Sequence, residues 1–259
     1  MCGADQSVPK VAVDRGKTRF AIERCSACGF VYVVNPLGTT FDHVQQAPVA
    51  VPEKPRHRQI KRVCDHVLVR RLQAGAVRHV VEVGAGWGGL AQVISRDPAY
   101  RYTGFEPSAA RAEYCRARGL DVREGLFDAR LGVEGADAVV FDNVLEHVDD
   151  PRGLVRDAVA SLRAGGVLIV IVPNRHDIRR HHPAWRKRHY WQPHCHINYF
   201  SRGDLERLFA AHGMNLRFFG FEAVGGLRDD VGLLPRVIAD RLGVHVLGLN
   251  AYGIKPGTR

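Results

Sequence analysis

The stretch Val80-Val-Glu82-Val-Gly84-Ala-Gly86-Trp-Gly88-Gly89 sets an acid and four glycines between a β-branched run and a helical one. A ligand lying across the end of a strand needs the backbone to come close, and a Cβ would block it. The helix that follows points its free N–H groups at the same place. Gly84, Gly86 and Gly89 also satisfy GxGxxG, so the loop alone suits a dinucleotide as well as another nucleoside. Glu106, in Gly-Phe-Glu-Pro-Ser, lies 18 residues after Gly88, where an acid accepts from ribose hydroxyls. Glu82 belongs to the strand itself. An acid there is costly unless paired, and a positively charged ligand would justify it.

Proton chemistry has two candidate sources. His147, in Leu-Glu-His, titrates near neutral pH and is the first candidate base, with ordering of its loop as the alternative. His194 and His196, in Gln-Pro-His-Cys-His-Ile-Asn-Tyr, are the second, while Tyr199 reads as core. They end a basic stretch, 175–196, that holds six Arg/Lys, six His and one acid, Asp177. Arg179, Arg180, Arg186 and Arg188 suit a phosphate- or carboxylate-bearing partner. Trp185, Tyr190 and Trp191 are interleaved with them. Cations mixed with aromatics suit single-stranded nucleic acid or a membrane surface as well, and a solvated lid is the plainest reading. The histidines lack the helical HxxxH spacing of a metal site.

A metal is more plausible at the other end of the chain. Cys25-Ser-Ala-Cys28-Gly29 is half of a zinc ribbon, which needs four ligands. Cys2-Gly3 has the form of the end of another knuckle, whose partner cysteine would fall before Met1. The expectation is a chain that starts late or a ribbon reduced to Cys2, Cys25 and Cys28.

These residues are positioned by an alternation of strands and helices. Strand signals fall at His79–Val83, Tyr100–Phe105, Asp121–Arg123, Ala136–Phe141 and Val167–Val172. Helical ones fall at 56–74, Gly89–Ser95, Ser108–Arg118, Pro151–Arg163 and Ser201–Ala211, with Gly119, Gly165 and Gly166 as stops. Leu216–Val224 reads as a closing strand or hairpin. This alternation predicts an α/β fold with a doubly wound, mostly parallel sheet. Residues 1–38 read as a small β module carrying the CxxC pair, 39–55 as a proline-rich linker, 56–224 as the main domain with a basic lid insertion at 174–196, and 225–259 as an extension.

In order, these motifs resemble the class I S-adenosylmethionine-dependent methyltransferases. VVEVGAGWGGLAQVI resembles their first motif and GFEPS their second. ADAVVFDNVLEHVDDP, LRAGGVLIVIVPN and HINYFSRGDLERLFAAHGM resemble the later ones. The resemblance implies a Rossmann-like domain whose Glu82, Gly84, Gly86 and Gly88 line the methionine end of the cofactor. It places Glu106 on the ribose, Phe127 and Asp128 near the adenine, and Asn143 at the methyl-transfer region. There the usual acid after the glycine is replaced by Leu126. The N-terminal segment, with Phe30–Val34 followed by Asn35-Pro36, resembles a subgroup of small-molecule methyltransferases, sugar C-methyltransferases among them, that begin with a zinc ribbon. The cofactors implied are S-adenosylmethionine and a structural zinc.

The bulk numbers agree. The 259 residues carry a net charge of +10 and only six cysteines, which argues against a disulfide framework. The longest apolar run, Val167–Val172, is far too short for a bilayer. MCGADQSVPK has no basic or apolar leader region, so the expected compartment is the cytoplasm. The reading is a methyltransferase acting on a small, anionic metabolite through His147 or His196, with Arg179, Arg180, Arg186, Arg188 and His194 facing the acceptor. The alternatives are a nucleic-acid methyltransferase and a binding module that keeps the fold without transfer.

Overall fold

A computed structural model describes residues 2–3, 6–37, 50–51, 54–69, 76–128, 133–186, 190–219 and 248–257. Its centre is a seven-stranded sheet. Five strands are parallel: β4 (Arg78–Val83), β5 (Tyr100–Glu106), β6 (Val122–Glu124), β7 (Ala136–Asp142) and β8 (Leu162–Val172). The remaining two, β10 (Asn215–Phe218) and β11 (Leu249–Ile254), join antiparallel, giving the order β10-β11-β8-β7-β4-β5-β6. The chain leaves β4 toward β5 and β6, then crosses back to β7 and β8. The switch in direction therefore lies between β4 and β7, where a crevice opens at the strands' C-terminal ends.

The central strands are buried on both faces, as parallel strands flanked by helices must be. On one face, Val80, Ala138, Val140, Ile169 and Ile171 pack against α1 (Pro55–Val69), α2 (Gly89–Ser95) and α3 (Ala109–Arg116). On the other, Val81, Val139, Phe141, Leu168 and Val170 pack against α4 (Pro151–Ser161) and α6 (Arg202–Ala210). The alternation of neighbouring residues between the two cores is the period-two signature of a strand. Helix α6 begins with a capping box, in which Ser201 and Asp204 satisfy each other's backbone N–H groups. A short helix, α5 (Pro183–Trp185), lies in the basic stretch.

The N-terminal residues form a second, antiparallel sheet of β1 (Ser7–Arg15), β2 (Thr18–Cys25) and β3 (Val31–Val33). Its fourth strand is β9 (Asn198–Tyr199), supplied by the segment just past the basic stretch. The small sheet therefore does not stand apart. Phe30 packs on Phe200 at 5.3 Å between ring centroids, and Arg207 donates to the carbonyl of Cys28 at 3.0 Å.

Several elements differ from the sequence reading. Helix α4 stops at Ser161, and β8 starts at once. Gly165 and Gly166 therefore sit inside the strand region, beside a register shift at Ala136/Ala138, instead of ending a helix. Gly165 has φ +75°, a conformation that favours glycine. The boundary at 224 omits β11, which is hydrogen-bonded to β8 over six residue pairs. Residues 70–74 of the expected first helix, most of the 39–55 linker and 225–247 lie outside the described residues. Among the described residues, no helix is long and apolar enough to cross a membrane.

Candidate active site

The glycine loop sits at the end of β4, and a cleft of about 600 Å³ opens above it. Glu82, Gly84, Gly86, Glu106, Phe127 and Asn143 all line this cleft. Gly84 and Gly86 have φ +74° and +56°. A Cβ on Gly84 would stand 2.8 Å from Val144 Cγ2, whereas one on Gly86 would meet nothing within 4 Å. Gly86 is thus the bare edge that a ligand can approach.

Gly88 is different. It does not line the cleft, and a Cβ there would strike Leu120 Cδ1 at 2.7 Å and Cys115 Sγ at 3.0 Å. It caps α2 with φ +78° and lets that helix pack closely on its neighbours. Gly88→Ala should therefore lower stability by about 2–4 kcal/mol, combining left-handed backbone cost and overpacking. Urea unfolding would show this as a lower midpoint at an unchanged slope.

Glu106 is buried and holds the loop in shape. Its Oε2 accepts from Gly86 N at 2.7 Å and its Oε1 from Ser108 N at 3.0 Å. The adenine-side residues split. Phe127 is buried edge-on against Phe105 at 5.3 Å, while Leu126 is 65% exposed at the cleft rim. Asp128 stands outside the lining.

Three carboxyls gather along the cleft floor. Glu82 accepts a hydrogen bond from the Tyr102 hydroxyl. Burial raises its pKa well above the ordinary carboxylate range. Asp142 takes Arg56 Nε at 2.6 Å and faces His57 Nε2 at 3.6 Å. His57 Nδ1 accepts from Lys54 N, so its proton sits on Nε2, toward Asp142. Burial pushes Asp142 upward, but His57 and Arg56 outweigh it and hold the carboxyl below its usual range. The other Asp142 oxygen, Oδ1, is buried with no hydrogen-bond partner.

A second cleft, about 500 Å³, adjoins the first. The two share Lys54, Arg56 and Asn143. Asn143 has φ +56° and is the only non-glycine with positive φ among the described residues. Strain of that kind collects at functional sites. Arg175, Arg179, Trp185, Tyr190 and His196 line the second cleft.

The arginines expected to face an acceptor do not act together. Arg179 lines the second cleft but is already paired with Asp177, Nη2 to Oδ2 at 2.5 Å. Arg180 lines neither cleft and donates to the Arg175 carbonyl at 2.9 Å. Arg186 is exposed and lines neither cleft, and Arg188 lies outside the described residues. Lys54 and Arg56, which sequence patterning left as ordinary linker and helix residues, stand where both clefts meet. A lone cation before a helix carries no motif, so only the packing of α1 reveals them.

The histidines converge. His147 Nδ1 meets the carbonyl of Cys195 at 2.7 Å, and the rings of His147 and His196 are 4.9 Å apart. His147 and His194 line the first cleft and His196 the second. Glu146, 1% exposed, sits 3.8 Å from His147 Nε2. Burial lifts the Glu146 carboxyl to about 8 and drops His196 to about 3. At the N-terminal end, the sulfurs of Cys2, Cys25 and Cys28 lie within 4.8 Å of one another, with Cys2 and Cys25 at 3.5 Å. The backbone N–H of Cys28 leads the contacts that draw the Cys25 thiol down to about 7, whereas burial raises Cys28.

The chain is similar to known proteins. The methyltransferase domain family matches residues 56–217. Over 103 residues the chain is 38% identical to a probable S-adenosylmethionine-dependent methyltransferase of Mycolicibacterium smegmatis, covering 39% of this chain and 40% of that protein. Over 132 residues it is 32% identical to a ubiquinone biosynthesis O-methyltransferase of Xanthomonas oryzae pv. oryzae, covering 48% of this chain and 54% of the other. The chain thus spans about half the length of the curated relatives it matches. Among solved structures, the plantazolicin methyltransferase BamL, in complex with SAH, aligns with TM-score 0.56 at 14% identity, over 77% of this chain and 84% of that one. The cyclase SpnF aligns with TM-score 0.51 at 20% identity, over 78% and 82%. At such identities the likeness is one of fold, and a fold can host several chemistries. With the match running from α1 to β10 and the crevice at the sheet's switch point, the chain belongs to the methyltransferase domain family.

Proposed function

We propose that this protein transfers the methyl group of S-adenosylmethionine to a small anionic acceptor. The observation that carries the reading is the pair of clefts meeting at Asn143, above the ends of β4 and β7. One cleft suits a cationic nucleoside and the other its reaction partner. The cofactor's contribution is an electrophilic methyl on a sulfonium. The protein's part is to place two reactants against each other and keep water out.

The residues fit that cofactor. Gly86 offers open backbone, Glu106 a buried carboxylate, and Glu82 and Asp142 an acidic floor for a cationic ligand. On the acceptor side, Lys54 supplies positive charge, Arg56 and Arg175 being balanced by Asp142 and Asp204, and Trp185 and Tyr190 supply flat apolar surface. The O-methyltransferase relatives favour an oxygen acceptor. His147 lines the first cleft, where a proton lost by the acceptor can be held, while burial makes His196 too weak a base to share that part. The three cysteines fit a structural zinc, since sulfurs around a tetrahedral zinc stand about 3.8 Å apart; Cys2, Cys25 and Cys28 would be its ligands.

The direct test is calorimetric titration with S-adenosylhomocysteine, with NADH as control. Micromolar binding of the first alone is expected. Binding of NADH, or of neither, would sink the reading. A second expectation follows from Glu82. Burial disfavours its charged form in the free protein, and a cation placed beside it favours the carboxylate. S-adenosylmethionine binding should therefore release a proton and tighten as pH rises toward the free-state pKa of Glu82. Calorimetry in buffers of different ionisation enthalpy measures that proton directly, and Glu82→Gln should abolish it.

A further inference from the structure

The geometry points to a divalent metal site formed by Glu146, His147 and His196, with its open side toward the acceptor. Two imidazoles and one carboxylate are a donor set for zinc-class and ferrous ions, and catalytic sites of this kind keep further positions free.

Four observations carry it. First, Glu146 is 1% exposed, and both of its carboxylate oxygens lack a hydrogen-bond partner. A buried carboxyl left this way is costly, and a cation removes the cost. Second, the ligand atoms of the three residues lie within 4.8 Å of one another. Nitrogen and oxygen ligands of a tetrahedral ion stand about 3.3 Å apart, so a small rotation of the side chains closes the set. Third, His147 Nδ1 lies 2.7 Å from the Cys195 carbonyl, which can only accept. Nδ1 therefore carries the proton, leaving the lone pair on Nε2, the nitrogen that faces Glu146. Metal-binding histidines are fixed by such a second bond. Fourth, the two segments that bear the ligands are clamped together. Ile197 N donates to Glu146 O at 2.8 Å, and Asn198 Nδ2 donates to Leu145 O at 3.0 Å and Val148 O at 2.7 Å. The ligands are held before any ion arrives.

The role of the ion rests on the proposed methyl transfer. His147 lines the first cleft and His196 the second, so the ion stands beside the point where they meet. An acceptor hydroxyl bound there loses its proton to solvent more readily. Its oxygen then forms the new O–C bond while the C–S electron pair leaves with the sulfur. The acceptor class is accordingly one that presents a hydroxyl to the ion and an anionic group to Lys54.

The test is a Co2+ titration of the full-length, chelator-stripped protein, followed by absorption. The cysteine cluster, if it binds, adds sulfur-to-metal charge-transfer bands in the near ultraviolet. The nitrogen–oxygen site adds visible bands without them. One equivalent producing visible bands, competed away by Zn2+, is expected. Glu146→Gln and His196→Ala should each weaken that phase at least tenfold and leave any thiolate bands in place. The near-isosteric glutamine should keep S-adenosylhomocysteine affinity, which verifies the fold. Visible bands unaccompanied by thiolate charge transfer that are absent in the native chain, or that survive both substitutions, would overturn the site. Co2+ binding without any S-adenosylhomocysteine binding would instead overturn the transferase reading and leave the metal standing.

Discussion

Replacing Glu106 with alanine should weaken S-adenosylhomocysteine binding by about 2–4 kcal/mol, or roughly 30- to 1000-fold. The expectation exceeds that for a lost ribose contact because the carboxylate has two tasks. It accepts from Gly86 N and Ser108 N, and so fixes the loop that the ligand must approach. Without it, two backbone N–H groups lose their acceptor and the loop at positive φ loses its brace. Glu106→Gln should fall between, since an amide keeps one accepting oxygen but places a donor opposite a backbone N–H. Calorimetry on the three proteins measures the series. If alanine and native affinities agree, Glu106 does not touch the ligand.

The second large effect is expected at His147. His147→Ala should lower kcat by about 10²- to 10⁴-fold while S-adenosylhomocysteine affinity stays nearly constant. The residue belongs to the turn after β7 and not to the glycine loop, so its loss removes an interaction made during transfer. Metal content of the same sample separates the two ways it can act. A variant that keeps its metal but not its turnover assigns the ring to proton removal. Loss of both assigns it to holding the ion. A change in kcat of less than about tenfold would return His147 to ordering the Leu145–Val148 turn.

Much of this was legible in the sequence, and what was not has physical causes. The parallel strands announce themselves because burial on both faces demands apolar runs such as Val167–Val172. The glycine loop and Glu106 are legible because close approach and charge restrict residue type. Other features depend on distant partners. Strand β9 is two residues long and exists only because β3 pairs with it. Strand β11, LNAYGI, has alternate residues buried, yet 30 residues separate it from β10. Gly88 fits a binding fingerprint, but its missing side chain makes room for Leu120 and Cys115 instead of a ligand. Lys54 and Arg56 have no signature at all. The arginines of the basic stretch look alike as a string of charges, and only tertiary contacts tie Arg179 to Asp177 and Arg175 to Asp204 and the Gly29 carbonyl.

The placement of β11 bears on how the protein is made. Translation delivers β4 to β8 long before residues 249–254, yet the partner of β8 on its outer side is β11. Until those residues leave the ribosome, the most apolar strand of the sheet presents a bare edge of unpaired N–H and C=O groups. Such an edge invites pairing with another chain. Chains truncated before residue 249 should therefore bind holdase chaperones and aggregate when released, while chains released with 249–254 in place escape. Strand β11 thus acts as the molecule's own safeguard during synthesis.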